Sequence, residues 1–154
     1  MSENFMQLAF EEAKKGVLDG DGGPFGAVVV KDGKVIASAH NEVVGTNDPT
    51  AHAEMVAIRK AAKILGDFSL KGCELYATGE PCPMCQSAIL WARLDKVYYC
   101  NTKAQAAEIG FDDTAITEIL QEKIPSPIPF IHKEVAQCKE LLYLWETKED
   151  KTPY

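Results

Sequence analysis

The chain has no run of about 18 apolar residues, the length a membrane-spanning helix needs, so its composition argues against a membrane span. Met1 to Phe10 carries one acidic residue, Glu3, and no basic cluster, and so does not resemble a signal peptide. There is no internal repeat and no low-complexity tract. Basic residues are in deficit: 16 Lys and Arg stand against 23 Asp and Glu, a net charge of −7. A protein that grips a phosphate backbone usually shows a basic face. Here no segment concentrates the basic residues, which favours a small neutral or weakly polar substrate over a nucleic acid. Cysteines are few and odd in number, five, which argues for a reducing, cytoplasmic setting. What remains is 154 residues, 46% of them hydrophobic, enough for one domain with one core.

Two short segments carry chemistry: His52-Ala53-Glu54 and Pro81-Cys82-Pro83-Met84-Cys85. His52, Cys82 and Cys85 supply three zinc ligands. Three protein ligands leave a fourth tetrahedral position open, which separates a catalytic zinc from a structural one. Zinc lowers the pKa of a bound water from 15.7 to about 7. Glu54, two residues from His52 at a helix start, can lie beside the metal without binding it and move protons. Cys82 and Cys85 open a second helix with Pro83 in its first turn, where the missing N–H costs nothing. The helix N-terminus and the metal both favour thiolate. A redox pair or half of a structural zinc site is the bland alternative. A structural site needs a fourth Cys or His. Cys73, Cys100, Cys138, His40 and His132 are available, but none falls in a second close-spaced ligand pair. The three remaining cysteines read as buried, inert thiols.

Along the chain, residues 4–19 show helical spacing, and Phe25 to Val30 reads as a buried strand. Asp32-Gly33 turns it into a second strand, Lys34 to His40. Val43 to Asn47 reads as a loop, and Thr50 as the N-cap of a helix ending near Gly66. Cys73 to Thr78 is a third strand, Cys82 to Trp91 a helix, and Lys96 to Cys100 a fourth strand. Thr102 to Gly110 is irregular or helical, and Thr114 to Leu120 a helix. Pro125, Pro127 and Pro129 stiffen a connector. Phe130 to Val135 reads as a fifth strand and Ala136 to Trp145 as a last helix. Strands alternating with helices imply an α/β sandwich, a sheet covered on both faces. Both ligand segments then begin helices, so the site falls where two N-termini converge.

Asp48-Pro49-Thr50-Ala51-His52-Ala53-Glu54 and Glu80-Pro81-Cys82-Pro83-Met84-Cys85 resemble the cytidine deaminase-like superfamily, whose zinc deaminases share this His-x-Glu and Pro-Cys-x-x-Cys signature. Gly22 to Val28, Ala88 to Arg93, Gly110-Phe111-Asp112-Asp113 and the terminal aromatic Tyr154 resemble its guanine deaminase branch. The resemblance implies a three-layer α/β/α sandwich with a mixed five-stranded sheet over residues 1–154. It also implies one Zn²⁺ per site and hydrolytic deamination of guanine. Water adds at C2, Glu54 moves its proton to N3, ammonia leaves and xanthine remains. The backbone N–H of Cys82 or Ala53 is a candidate for binding the developing charge. The resemblance further implies a homodimer in which residues 125–154 are exchanged, so that Tyr154 closes the partner's pocket. A solvated tail is the alternative for Tyr154. Trp145 and Tyr143 line the same lid or pack the helix.

The substrate contacts expected on this basis are Phe25, Asn41, Ala53, Asp113 and Tyr154. Phe25 can stack on a flat base, or simply pack the core. Asn41 offers donors and acceptors to a purine edge. Asp113 accepts only, when ionised. Guanine presents N1–H and its 2-amino group side by side as donors, whereas adenine has an acceptor at N1, so a carboxylate suits guanine. Asp113 is also a second proton carrier toward ammonia, or, with Asp112, merely a helix cap. Guanosine is an alternative substrate. A tRNA adenosine deaminase shares both metal motifs, but the charge and the acidic tail count against it. Nothing favours a pyrimidine. A catalytically dead zinc-holding fold has no use for Glu54.

Overall fold

The computed structural model describes residues 4–154, and residues 1–3 of the N-terminal stretch read above lie outside the described part. Helix α1 (Phe5–Leu18) starts at Asn4, whose side chain accepts from the Gln7 N–H at 3.1 Å. The hairpin β1 (Gly26–Lys31) and β2 (Lys34–His40) turns at Asp32-Gly33, both at positive φ. Then follow α2 (Val43–Thr46), α3 (Ala53–Leu65), β3 (Cys73–Gly79), α4 (Pro83–Trp91), β4 (Lys96–Asn101), α5 (Lys103–Glu108), α6 (Thr114–Leu120) and α7 (Gln137–Thr147).

The four strands form one mixed sheet in the order β2-β1-β3-β4. β1 runs antiparallel to both β2 and β3, and β3 runs parallel to β4. Alternation along β1 sorts the two faces, as the two-residue period of a strand requires. Ala27 and Val29 face a core built with Ala53, Val56, Ala57 and Ala61 of α3 and Ile89 of α4. Val28 and Val30 face Phe5 and Ala9 of α1. Small residues on α3 let that helix lie close to the sheet. The result is the three-layer arrangement expected.

The close seat of α1 on β1 depends on Gly26. A Cβ on Gly26 would lie 2.0 Å from the Ala9 carbonyl oxygen and 2.7 Å from the Ala13 nitrogen, both backbone atoms that cannot step aside. Gly26→Ala should therefore lower unfolding free energy by about 3 kcal/mol or more. A urea unfolding midpoint equal to that of the parent protein would refute this.

Four expectations change. The sheet has four strands rather than five among the described residues: 130–135 is not strand, and its Phe130 is 88% exposed. A strand needs a neighbour to bond to, and this segment has none within its own chain. Residues Val43–Thr46 form a short helix, not a loop. Thr50 does not cap α3. Its N–H and hydroxyl both donate to Asp48 Oδ1, at 2.9 and 2.7 Å, and His52 takes the N-cap position. Of the three cysteines read as buried, only Cys73 is; Cys100 on the open edge strand and Cys138 on α7 are exposed.

Candidate metal centre and active site

The N-termini of α3 and α4 meet beyond the end of β3. His52 is the N-cap of α3 and Cys82 the N-cap of α4, each in extended conformation, and neither side chain caps its own helix. Both are thereby free to turn toward each other. Pro83 occupies the first turn of α4, and Cys85 lies one turn in, fully buried. His52 Nδ1 is 3.5 Å from Cys82 Sγ and 3.6 Å from Cys85 Sγ.

The spacing fits a tetrahedral ion. Ligand bonds of about 2.3 Å to sulfur and about 2.05 Å to nitrogen, opened to a tetrahedral angle, give a nitrogen–sulfur separation of about 3.6 Å. Two thiolates and one neutral imidazole form the donor set of a catalytic zinc, with one position left for a small ligand. No fourth Cys, His, Asp or Glu joins the trio among the described residues.

The electrostatics prepare the ligands. Hydrogen bonding from Cys85 holds the Cys82 thiol down at about 4, against the effect of burial, with His52 adding to the fall. The same hydrogen bond and burial push Cys85 up. The pair therefore shares a proton that a metal would displace. His52 is raised by its hydrogen bond to Cys82.

Glu54 sits in the first turn of α3, is only 6% exposed and lines the same cavity. Burial pushes its carboxyl upward. A carboxyl poised to hold and release a proton is what proton transfer in a pocket requires.

The cavity measures about 480 Å³, within the range of small-molecule sites. His52, Glu54 and Cys82 line it together with Phe25, Asn41, Asp112 and Asp113. Asn41 follows β2 directly. Its Oδ1 accepts from the Val43 N–H at 3.0 Å, which leaves the amide NH₂ as the group free to donate into the cavity. The two neighbouring aspartates divide their roles. Asp112 Oδ1 accepts from both the N–H and the hydroxyl of Thr114, at 2.9 and 2.5 Å, whereas Asp113, the N-cap of α6, makes no side-chain cap bond. Both line the cavity, and only the Asp113 carboxylate is free of such a bond.

Phe111, which is not among the expected contacts, lines the cavity and meets Phe25 edge to face with ring centroids 5.0 Å apart. Glu80 and Lys103 also enter the wall, locked by a bond from the Lys103 N–H to Glu80 Oε1 at 3.0 Å. The Thr102-Gln105 capping box that starts α5 was the available signal for that segment. Ala53 and Tyr154 do not line the cavity of their own chain. Ala53 is wholly buried in the core beneath the site. Tyr154 is exposed and sits beside Phe68 and Trp91 of its own chain, with ring centroids 6.3 and 6.2 Å away.

Comparison with known proteins agrees with this site. The zinc-binding region of cytidine and deoxycytidylate deaminases matches residues 1–101, which contain the trio and Glu54. The chain is 46% identical to guanine deaminase of Bacillus subtilis, over 99% of this chain and 98% of that one. Its fold superposes on a crystal structure of guanine deaminase from Bacillus subtilis with a TM-score of 0.93, at 44% identity, covering 100% of this chain and 99% of that one. It is also 47% identical to a tRNA-specific adenosine deaminase of Aquifex aeolicus, but over 63% of this chain and 64% of that one. The metal trio, the buried glutamate and these matches together make the chain a zinc-dependent hydrolase that belongs to the cytidine and deoxycytidylate deaminase family.

Proposed function

We propose that the protein deaminates guanine, taking up water and releasing xanthine and ammonia. The observation that carries this reading is the Asp113 carboxylate, free of cap bonds and sharing one cavity with Glu54, His52 and Cys82. The similarity to a guanine deaminase runs through 99% of the chain and supports it.

The ring lies against Phe25, with Phe111 behind it. Asp113 accepts from N1–H and the 2-amino group, and the Asn41 amide donates to an acceptor on the purine. Zinc held by His52, Cys82 and Cys85 would supply the Lewis acidity that makes hydroxide available at neutral pH. Glu54 takes the proton from the attacking water and passes it to N3 as the new bond forms at C2. It then takes the remaining proton from the C2 hydroxyl and delivers it to the departing amine as the C2–N bond breaks and the C2 carbonyl forms. Xanthine keeps the oxygen and ammonia carries away the nitrogen. Base selectivity tests this reading. Asp113→Asn substitutes a donor for half of the acceptor pair. It should cut kcat/KM for guanine about tenfold to a hundredfold. Unchanged guanine kinetics would remove Asp113 from recognition.

We also infer that two copies exchange their C-terminal segments, residues 125–154. Three features support it. β4 leaves one sheet edge open, with Tyr98 and Tyr99 exposed. α7 exposes Leu141, Leu142, Leu144 and Trp145 together, too much apolar surface for a solvated helix. The connector carrying Pro125, Pro127 and Pro129 is a stiff hinge between intact elements. In the exchanged pair, 130–135 supplies a strand to the partner's open edge and Tyr154 closes the partner's cavity. The exchanged homodimer would act in purine breakdown in the cytoplasm.

A further inference from the structure

We propose that His40 is a positioning residue for the substrate: clamped between Glu12 and Asp21, it fixes the wall segment 41–45 so that Asn41 presents its amide to the base. The inference rests on the guanine reading above, because it acts through Asn41.

Both ring nitrogens are engaged. His40 Nδ1 lies 2.8 Å from Glu12 Oε2, and Nε2 lies 2.8 Å from Asp21 Oδ2. A carboxylate only accepts, so only the imidazolium, with two N–H donors, satisfies both at once. The ring is wedged as well as bonded. A Cβ on Gly16 of α1 would fall 2.6 Å from its Cδ2. Glu12 from α1 and Asp21 from the loop before β1 are the charged groups that face it. β1 and α3, which also pack on β2, present none to the ring.

The clamp continues into the cavity wall. The Asp21 carbonyl accepts from the Val44 and Gly45 N–H groups, each at 2.9 Å. Val43 and Val44 line the cavity, and the Val43 N–H holds Asn41 Oδ1. Asn41 is the next residue after His40, and its own N–H donates to the Phe25 carbonyl at 3.0 Å. One charged cluster thus ties α1, the Asp21 loop and the end of β2 to two substrate-facing side chains. None of its members hydrogen-bonds to the metal ligands or Glu54, so it acts on binding rather than on the proton transfers.

The protonation state sets the sign. Burial alone would lower His40, but the hydrogen bonds and charges of Glu12 and Asp21 outweigh it and raise the group above its ordinary 6.5. The clamp is therefore complete below that raised value and loses a bond as pH rises through it, when one nitrogen turns a lone pair toward a carboxylate. KM for guanine should rise along that limb while kcat stays level.

The test is the pH profile of KM and kcat for guanine in the zinc-loaded parent protein, His40→Gln and Glu12→Gln. His40→Gln should raise KM about fivefold near neutral pH, keep kcat, and lose the alkaline limb. Glu12→Gln removes one of the two carboxylates and should move the limb to lower pH. It serves as the milder variant should His40→Gln fold poorly. A limb that came from guanine's own ionisation would stay fixed in all three. Superimposed profiles with active enzyme, even with lowered thermal stability, would overturn the inference and leave His40 a structural residue. No guanine turnover by the parent protein would overturn the substrate reading and this inference with it.

Discussion

Glu54→Gln should keep its zinc and lose about a thousandfold in kcat, the middle of the range for removing a positioned general acid–base group. Glutamine preserves the length and the buried seat in the first turn of α3 but cannot take a proton. The trio of His52, Cys82 and Cys85 contains no atom of Glu54, so metal content has no reason to change. Atomic emission on the purified variant gives the first number and steady-state ammonia release the second. A variant within tenfold of the parent protein would show that protons travel by another route. A variant that lost zinc together with activity would show instead that Glu54 supports the ligands.

Deleting residues 151–154 should lower turnover by about a hundredfold, the scale of loss when a site is left open and its ligand poorly held. Folding should be untouched, since these residues are exposed and outside every element. The deletion becomes decisive when mixed with Glu54→Gln. Each protein alone is nearly inactive, one for lack of a lid and the other for lack of a proton carrier. If the lid comes from the partner, a hybrid pair has one pocket with Glu54 intact and a complete tail over it. Random exchange of subunits makes half of the pairs hybrid, so activity should return to about a quarter of the parent level. A tail that served its own pocket could not rescue the mixture. Tyr154 rests beside Phe68 and Trp91 of its own chain and not in its own cavity, which favours the exchanged arrangement.

The catalytic half of the site was legible because its parts are local. His52 and Glu54 are two residues apart, Cys82 and Cys85 are three apart, and each pair sits at a helix start that the sequence marks. The surrounding strands were legible for a related reason: β1 and β2 share a turn whose two residues accept positive φ. The failures are equally physical. Asp48 captured the hydroxyl and N–H of Thr50, and nothing in the pattern tells a cap from a turn partner until the loop is folded. The capping role left open for Asp112 and Asp113 falls to Asp112, which accepts from Thr114 in the folded loop. The segment 130–135 has the side chains of a strand, but pairing is a property of two segments and its partner is missing from its own chain. The His40 cluster joins residues 28 and 19 positions apart, so no short motif could announce it. In the sequence alone His40 is only a candidate fourth metal ligand. Its two ring nitrogens instead hold carboxylates.

Ammonia release from the purified, zinc-loaded protein tests the central claim most directly. The substrates are guanine, guanosine, adenine, cytosine, cytidine and a tRNA. The account predicts rapid release from guanine, one xanthine for each ammonia, and little from the others. Release from the tRNA or from cytosine with none from guanine would contradict it: the zinc chemistry would stand, and the assignment of Asp113 and Asn41 to a guanine edge would fall.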